Sequence, residues 1–198
     1  MSEEPDIDAK KPRKPKEPTV KWLRDQALRY LNRFPATTTK MRQHLYKKAE
    51  PNLEFFELSE NEVLGNIDQV IDTLVQAGFM NDTEFAASKA RVMSRQGKSL
   101  KQIQLKLQEL GFSEELVEKA ISALGEDIAD LDLKAAARFV KRRKFGPYKP
   151  KESRQERREK ELASLARQGF SYGVATRVLE ASTITIVEKI ISPDSSQD

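Results

Sequence analysis

Residues 107–113, with the sequence LQELGFS, contain the end of one helix and the start of the next, and they decide how this chain folds. Gly111 supplies the left-handed backbone with which many helices end, and Phe112 follows it as a hydrophobic contact. Ser113 is a strong N-cap residue for the following helix. The form L-x-x-x-G-F recurs at residues 74–79 and 165–170. This recurrence predicts short helices joined by tight turns.

Apolar residues at helical spacing, bounded by capping residues and glycines, predict nine helices in all. The third of them places Ile67, Val70, Ile71 and Leu74 on one face before Gly78 ends it. The predicted N-terminal caps of other helices are Thr39, Asp82 or Thr83, Ser99, Ser113, Ser153 in a capping box with Glu156, and Ser171.

The nine helices fall into three groups of three. This grouping predicts an all-α fold in which three tandem three-helix repeats stack into an elongated, curved body. The expected boundaries are a disordered Pro-rich basic arm over residues 1–18, repeats over 19–80, 81–126 and 127–182, and a short tail over 183–198. Within that tail, residues 183–191 stay unassigned, because their β-branched side chains suit a strand that would have no partner.

The composition excludes several classes of function. The 198 residues include no cysteine and one histidine, His44, which excludes disulfides, thiolate metal sites and clusters of histidine ligands. The glycines stand singly, so no phosphate-binding glycine loop is present. No apolar run approaches the roughly 18 residues of a membrane span, and we expect no secretory signal. We therefore expect a soluble, cytoplasmic, monomeric protein that is not an enzyme and needs no cofactor or metal.

Short motifs spread over residues 20–182 match the pattern of one protein family. The most specific segment combines L-x-x-x-G-F at residues 74–79 with N-D-x-x-F-A at residues 81–86. The others are Ala27-Leu28-x-x-Leu31, Arg91 with Arg95 and Gly97, Ile103-x-x-x-Leu107-x-x-x-Gly111, the basic run Lys141 to Lys144, and Arg167 to Ser171. In these motifs the chain resembles the RecX family.

The resemblance implies a bacterial modulator of the RecA recombinase, built from three tandem three-helix repeats. It also implies binding along the groove of a RecA–DNA filament and inhibition of the recombinase, ATPase and co-protease activities. Recombination, DNA repair and the SOS response are the processes concerned. The expected partner is therefore the RecA filament, with single- or double-stranded DNA as a second one.

Charge is segregated along the chain in blocks of alternating sign. Residues 50–84 carry nine Asp or Glu and no Lys or Arg, whereas residues 134–168 carry thirteen basic residues against four acidic ones. Such blocks predict different surfaces for different partners, although a charged run is also typical of a solvated helix face. The acidic block would repel DNA but could meet a basic protein surface.

The candidate partner-binding residues lie mainly on the predicted helix over residues 132–143. Four of them, at i, i+4, i+7 and i+8, share one face. Like charges at this spacing repel, so helix stability does not account for them. The full set is Lys134, Arg138, Lys141, Arg142, Arg143 and Lys144, with Lys89, Arg91 and Arg95 in the second repeat. No catalytic, cofactor-binding or metal-binding residues are predicted.

Two interpretations of the basic face stay open. One is a regulator that binds a protein filament, and the other is a direct DNA-binding protein that acts through the basic stripe of the third repeat. A helix-turn-helix repressor is a weaker form of the second, because no helix combines base-reading Asn, Gln and Arg. The aromatic residues do not form a stacking platform. Phe79, Phe112, Phe170 and Trp22 are expected in the core.

Overall fold

The computed structural model describes residues 15–125 and 127–192, and at residues 128 and 129 it describes the backbone alone. These residues form ten α-helices and two short 3₁₀ turns, with no strand among them, which confirms the all-α class. The helices are α1 (Val20–Leu31), α2 (Thr38–Ala49), α3 (Glu60–Gln76), α4 (Asp82–Arg95), α5 (Leu100–Glu109), α6 (Glu114–Ser122), α7 (Ile128–Arg143), α8 (Lys151–Arg167), α9 (Tyr172–Leu179) and α10 (Ile184–Ile191).

Several organisational predictions lie beyond this description. Most of the predicted arm, residues 1–14, and the last residues of the predicted tail, 193–198, fall outside the described residues. The repeat boundaries and the stacking into a curved body stay predictions. Within the described residues, no helix combines the length and the apolar character needed to cross a membrane.

The helix starts follow the capping chemistry of the sequence, with three corrections. Ser99, Ser113 and Ser171 each accept a backbone N–H of the following first turn, as predicted. The caps of α2 and α4 lie further upstream than predicted. Thr37, not Thr39, caps α2, and Asn81, not Asp82 or Thr83, caps α4, because these are the residues with extended backbone.

The predicted capping box at Ser153 is wrong. Helix α8 begins at Lys151, directly after Pro150, which is three residues earlier than a cap at Ser153 predicts. The Ser153 hydroxyl donates a 3.1 Å hydrogen bond to the Pro150 carbonyl instead of accepting one from the next turn. Proline suits this position because its fixed φ and missing N–H cost nothing at a helix start.

The chain divides into two compact units, one ending at Met80 and the other starting at Asn81. In the first unit, α1, α2 and α3 pack around one core. Its fully buried side chains include Leu23, Met41, Leu45, Ile67 and Val70. Trp22 is half-buried and packs against this core rather than inside it.

The second unit contains two hydrophobic clusters in its described residues. Helices α4, α5 and α6 surround Ile103 and Leu107, whereas α7 to α10 surround Val140 and Leu165. Helix α10 occupies the stretch that the sequence left unassigned. Thr183 caps it and Val187 is fully buried, so packing overrides the β-propensity of its isoleucines.

Polar contacts join the two clusters of the second unit. The Ser99 hydroxyl accepts the Gln102 N–H within its own helix start and donates to the Gln168 carbonyl at the end of α8. The Asp132 carboxylate of α7 accepts the Leu100 N–H of α5 at 2.8 Å. Partial burial raises the pKa of Asp132 above its usual range, against the opposing effect of this hydrogen bond.

The three phenylalanines of the L-x-x-x-G-F motif have different environments. Phe112 and Phe170 are buried, at 5% and 4% exposure, as predicted. The prediction for Phe79 is wrong, because this side chain is 62% exposed. Its neighbour Met80 is buried in the first core in its place.

Candidate partner-binding surface

Helix α7 provides most of the predicted basic residues. Asp127 caps it by accepting the Asp130 N–H at 3.0 Å, and its buried face includes Ala136 and Val140. An acidic residue lies in the first turn, whereas three basic residues, Lys141, Arg142 and Arg143, lie in the last. This order suits the helix dipole, so part of the charge pattern is explained by the helix itself.

The chain leaves α7 through a left-handed residue that is not glycine. Lys144 has φ 57° and ψ 46°, the conformation that glycine adopts after α5 and α8. The Phe145 N–H donates to the Val140 carbonyl at 3.0 Å and closes the helix end. The Lys144 ammonium lies 5.1 Å from the centre of the Tyr148 ring, a cation–π distance.

The first two predicted residues of the basic face are not freely available. Lys134 forms an ion pair with Asp130 one turn earlier, and its side chain is largely covered. Arg138 is half-buried, and its Cβ lies against the turn that follows α4, because a Cβ on Gly97 would come within 3.2 Å of it. Both side chains are therefore less accessible to a partner than the cations at the end of α7.

Two residues of the last turn make contacts inside the second unit. Lys141 forms a 3.1 Å ion pair with Glu188 of α10, and this carboxylate raises the pKa of Lys141. Arg142 donates a 2.9 Å hydrogen bond to the Gln96 carbonyl at the end of α4. Both side chains are exposed, and each contact links α7 to another segment of the second unit.

We name residues 141–144 the basic turn, because all four are exposed cations at the end of α7. Within the described part of the chain, Arg143 and Lys144 form no ion pair with a carboxylate. The Arg143 guanidinium lies 5.8 Å from the Phe139 ring centre. These two residues are therefore the ones most available to an anionic partner.

The three basic residues predicted on α4 also include both residues with partners and one without an ion pair in the described residues. Lys89 is half-buried, with its ammonium 5.5 Å from the Phe85 ring centre, and Arg91 forms a 2.6 Å ion pair with Glu84. Arg95 is exposed and has no ion pair among the residues described. It precedes Gln96, whose carbonyl binds Arg142, so the structure brings the end of α4 to the basic turn.

The sequence analysis missed the residues that hold the segment after the basic turn. Glu161 of α8 is buried and accepts the Gly146 N–H at 2.8 Å. Arg154 donates 3.0 Å hydrogen bonds to the carbonyls of Pro147 and Lys149. Both residues stand in a run of alternating charges, in which no sequence signal separates a buried anchor from a solvated residue.

The residues described contain no group of three His, Asp or Glu positioned to hold a metal ion. His44 packs beside the Tyr30 ring, with the ring centres 4.3 Å apart. Partial burial, followed by the nearby Lys48 charge, lowers the pKa of His44.

Comparison with known proteins identifies the family. No family model matches the chain. The regulatory protein RecX of Myxococcus xanthus is 31% identical over 179 residues, which cover 88% of this chain and 95% of that protein. The regulatory protein RecX of Agrobacterium fabrum is also 31% identical over 179 residues, or 89% and 92% of the two chains.

Two solved structures share the fold. The crystal structure of RecX from Lactobacillus salivarius gives a TM-score of 0.58 at 20% identity, over 82% of this chain and 96% of that one. A second crystal structure of regulatory protein RecX gives 0.53 at 18% identity, over 82% and 72% of the two chains. With relatives this similar along nearly their whole length, the chain belongs to the RecX family of regulatory proteins.

Proposed function

We propose that this protein binds the RecA filament on single-stranded DNA and inhibits its recombinase, ATPase and co-protease activities. It acts in the cytoplasm as a non-enzymatic regulator of recombination and DNA repair. Membership of the RecX family supports a regulatory role, and the resemblance of the sequence motifs to that family names RecA as the partner.

The observation that carries the proposal is the basic turn together with the end of α4. Arg143 and Lys144 are exposed cations without a carboxylate partner in the described residues, and a third exposed cation, Arg95, directly precedes the residue whose carbonyl binds Arg142. A filament of protein on DNA offers acidic side chains and phosphates. Exposed cations would accelerate encounter with either, in a way that salt weakens.

Direct DNA binding through the same basic stripe is the second candidate. It is favoured by the excess of cations over residues 134–168, which continues from α7 into α8. Phosphate contacts would release counterions and give a steep salt dependence. The acidic block over residues 50–84 argues against DNA as the main partner, because residues 49–88 contain no Lys or Arg.

The test compares two double variants. Arg143→Gln with Lys144→Gln removes the unpaired charges of the basic turn, whereas Arg157→Gln with Lys160→Gln removes two exposed charges of α8 as a matched control. Inhibition of RecA-driven ATP hydrolysis is measured at two salt concentrations, with co-sedimentation on single-stranded DNA alone in parallel. We expect the first variant to inhibit less and to depend less steeply on salt.

Three other outcomes have distinct meanings. If wild-type protein neither binds nor inhibits RecA filaments, the proposed function is wrong. Equal inhibition by the basic-turn variant and wild type at both salt concentrations would make the basic turn a solvated helix end. Loss of DNA binding with unchanged RecA inhibition would assign the two activities to separate surfaces.

A further inference from the structure

The loop between α2 and α3 presents an aromatic side chain to solvent within an acidic stretch. We propose that Phe55 and the carboxylates around it dock onto the protein subunits of the filament, at an apolar pocket bordered by Lys and Arg. This inference rests on the proposed function and adds to it a second contact surface, separate from the basic turn and specific for protein over DNA.

The backbone of this loop is closed by its own hydrogen bonds. The Leu58 N–H donates to the Leu53 carbonyl at 3.0 Å, and the Glu57 N–H donates to the Glu54 carbonyl at 3.2 Å. This is the pairing that ends helices elsewhere in the chain, here closing a single turn. Leu53 and Leu58 are half-buried against the first core, so they anchor the loop.

The anchored turn directs Phe55 outward. Its side chain is 67% exposed, and Phe56 packs edge-on against it with the ring centres 4.9 Å apart. Glu57 has φ 52°, the left-handed conformation that this closure requires at its position, at some cost in energy for a residue other than glycine. An aromatic ring held in place before binding loses little entropy on contact, which is typical of the anchors of protein interfaces.

The charges around Phe55 select the partner. The glutamates of the loop and the start of α3 are all exposed, and within the described chain none forms an ion pair: Glu50, Glu54, Glu57, Glu60 and Glu62. Glu60 accepts a hydrogen bond from Tyr46, which raises the pKa of that tyrosine. The nearest cations in sequence, Lys47 and Lys48, lie in the last turn of α2, where the helix dipole favours them.

This charge pattern excludes a nucleic-acid partner at Phe55. Phosphates would meet five carboxylates before they reached the ring, and like charges in an interface oppose binding strongly. A protein surface that carries Lys and Arg around an apolar pocket complements both features. The filament subunits are therefore the occupant that fits, and a second copy of this chain, through its basic turn, is the alternative that the test must exclude.

The experiment uses full-length protein and RecA filaments assembled on single-stranded DNA with a non-hydrolysable ATP analogue. Phe55→Ala is compared with Phe79→Ala, a second exposed phenylalanine of the first unit, and Glu54→Gln with Glu57→Gln is compared with Glu114→Gln and Glu118→Gln on α6. We expect Phe55→Ala to weaken filament binding about tenfold or more, as loss of an interface anchor does. The Glu54/Glu57 variant should bind more weakly with a shallower salt dependence.

Binding to single-stranded DNA alone should be unchanged in all four variants, and thermal melting should show that they fold. Wild-type affinity of both loop variants for the filament would overturn this inference and leave the proposed function intact. An equal loss of binding to bare DNA, or self-association that Phe55→Ala abolishes, would overturn it as well. Failure of wild-type protein to bind the filament at all would instead reject the proposed function and this inference with it.

Discussion

The L-x-x-x-G-F motif ends one helix of the first unit, α3, and two helices of the second unit, α5 and α8. Its phenylalanine is buried in the second unit but not in the first. In each case the phenylalanine N–H donates to the leucine carbonyl five residues earlier, at 2.9 Å for Phe79, 3.3 Å for Phe112 and 3.2 Å for Phe170. The backbone therefore ends these helices in the same way. Only Phe112 and Phe170 are buried, whereas Phe79 is exposed.

The difference arises from the spacing to the next helix. Ser113 and Ser171, the caps of the next helices, follow their phenylalanines directly, whereas Met80 stands between Phe79 and the cap Asn81. In the first unit it is Met80, at 3% exposure, that faces the core. The motif thus specifies how a helix ends, and the length of the connection specifies which side chain is buried.

The largest expected effect tests this contrast directly. Phe112→Ala and Phe170→Ala should each lower the free energy of unfolding by about 3–5 kcal/mol, the usual cost of emptying a buried phenylalanine site. Phe79→Ala should change it by less than about 0.5 kcal/mol, as exposed substitutions do. Urea unfolding measures all three.

Met80→Ala completes that comparison within the first unit. We expect it to cost about 2–3 kcal/mol, because it leaves a cavity where Phe79→Ala leaves none. If Phe79→Ala proved the more damaging of the two, the connection length would not decide which residue is buried.

Two of the glycines that precede these phenylalanines differ in the space around them. Gly78 and Gly169 both have positive φ, so alanine at either position should cost about 1 kcal/mol or more. A Cβ on Gly78 meets nothing within 4 Å, but a Cβ on Gly169 would lie 2.8 Å from the Ser99 hydroxyl. Gly169→Ala should therefore cost roughly 1 kcal/mol more than Gly78→Ala, since atoms must shift to admit it. If thermal unfolding showed the same loss of stability for Gly78→Ala and Gly169→Ala, the Ser99 side chain would be able to move aside at no cost.

Helix α7 ends with Lys144, rather than a glycine, in the left-handed conformation. The informative substitution here is therefore the one that introduces glycine. Lys144→Gly should raise the free energy of unfolding by up to about 1 kcal/mol, because glycine adopts the left-handed conformation with little strain. The same change removes one unpaired cation of the basic turn, so inhibition of the filament should fall as stability rises. Lys144→Asn is the control, since asparagine tolerates this conformation while it also removes the charge.

The sequence predicts the helices well because caps, glycines and apolar spacing act locally. Ser99, Ser113 and Ser171 were identified as caps from these signals alone. The missed features depend on contacts between distant residues. Buried Val187 turns a β-prone segment into α10, and buried Glu161 anchors the segment after α7. No local pattern contains either contact.

The candidate surface shows the same division between local and long-range information. Helical spacing predicted that the basic residues of α7 share a face, but spacing cannot show which of them already have partners. Lys141 bonds to a residue 47 positions away and Arg142 to one 46 positions away. Only the structure separates these two from Arg143, which has no such partner among the residues described.

The smallest expected effect is a pH dependence of stability that has opposite signs in the two units. His44 is the only histidine, and burial lowers its pKa from the ordinary 6.5. The unfolded chain then binds a proton more readily than the folded one between the two pKa values, so this contribution to stability is complete above about pH 6.5 and is lost as the pH falls below it. In the second unit, Asp132 has a raised pKa and acts in the opposite sense, with stability falling as the pH rises above 3.8.

The measurement follows urea unfolding by the fluorescence of Trp22, which packs on the first core. The urea midpoint of the wild type should fall between pH 7 and pH 5, and it should fall less in His44→Gln. The same shift in both proteins would mean that carboxylates rather than His44 cause the loss.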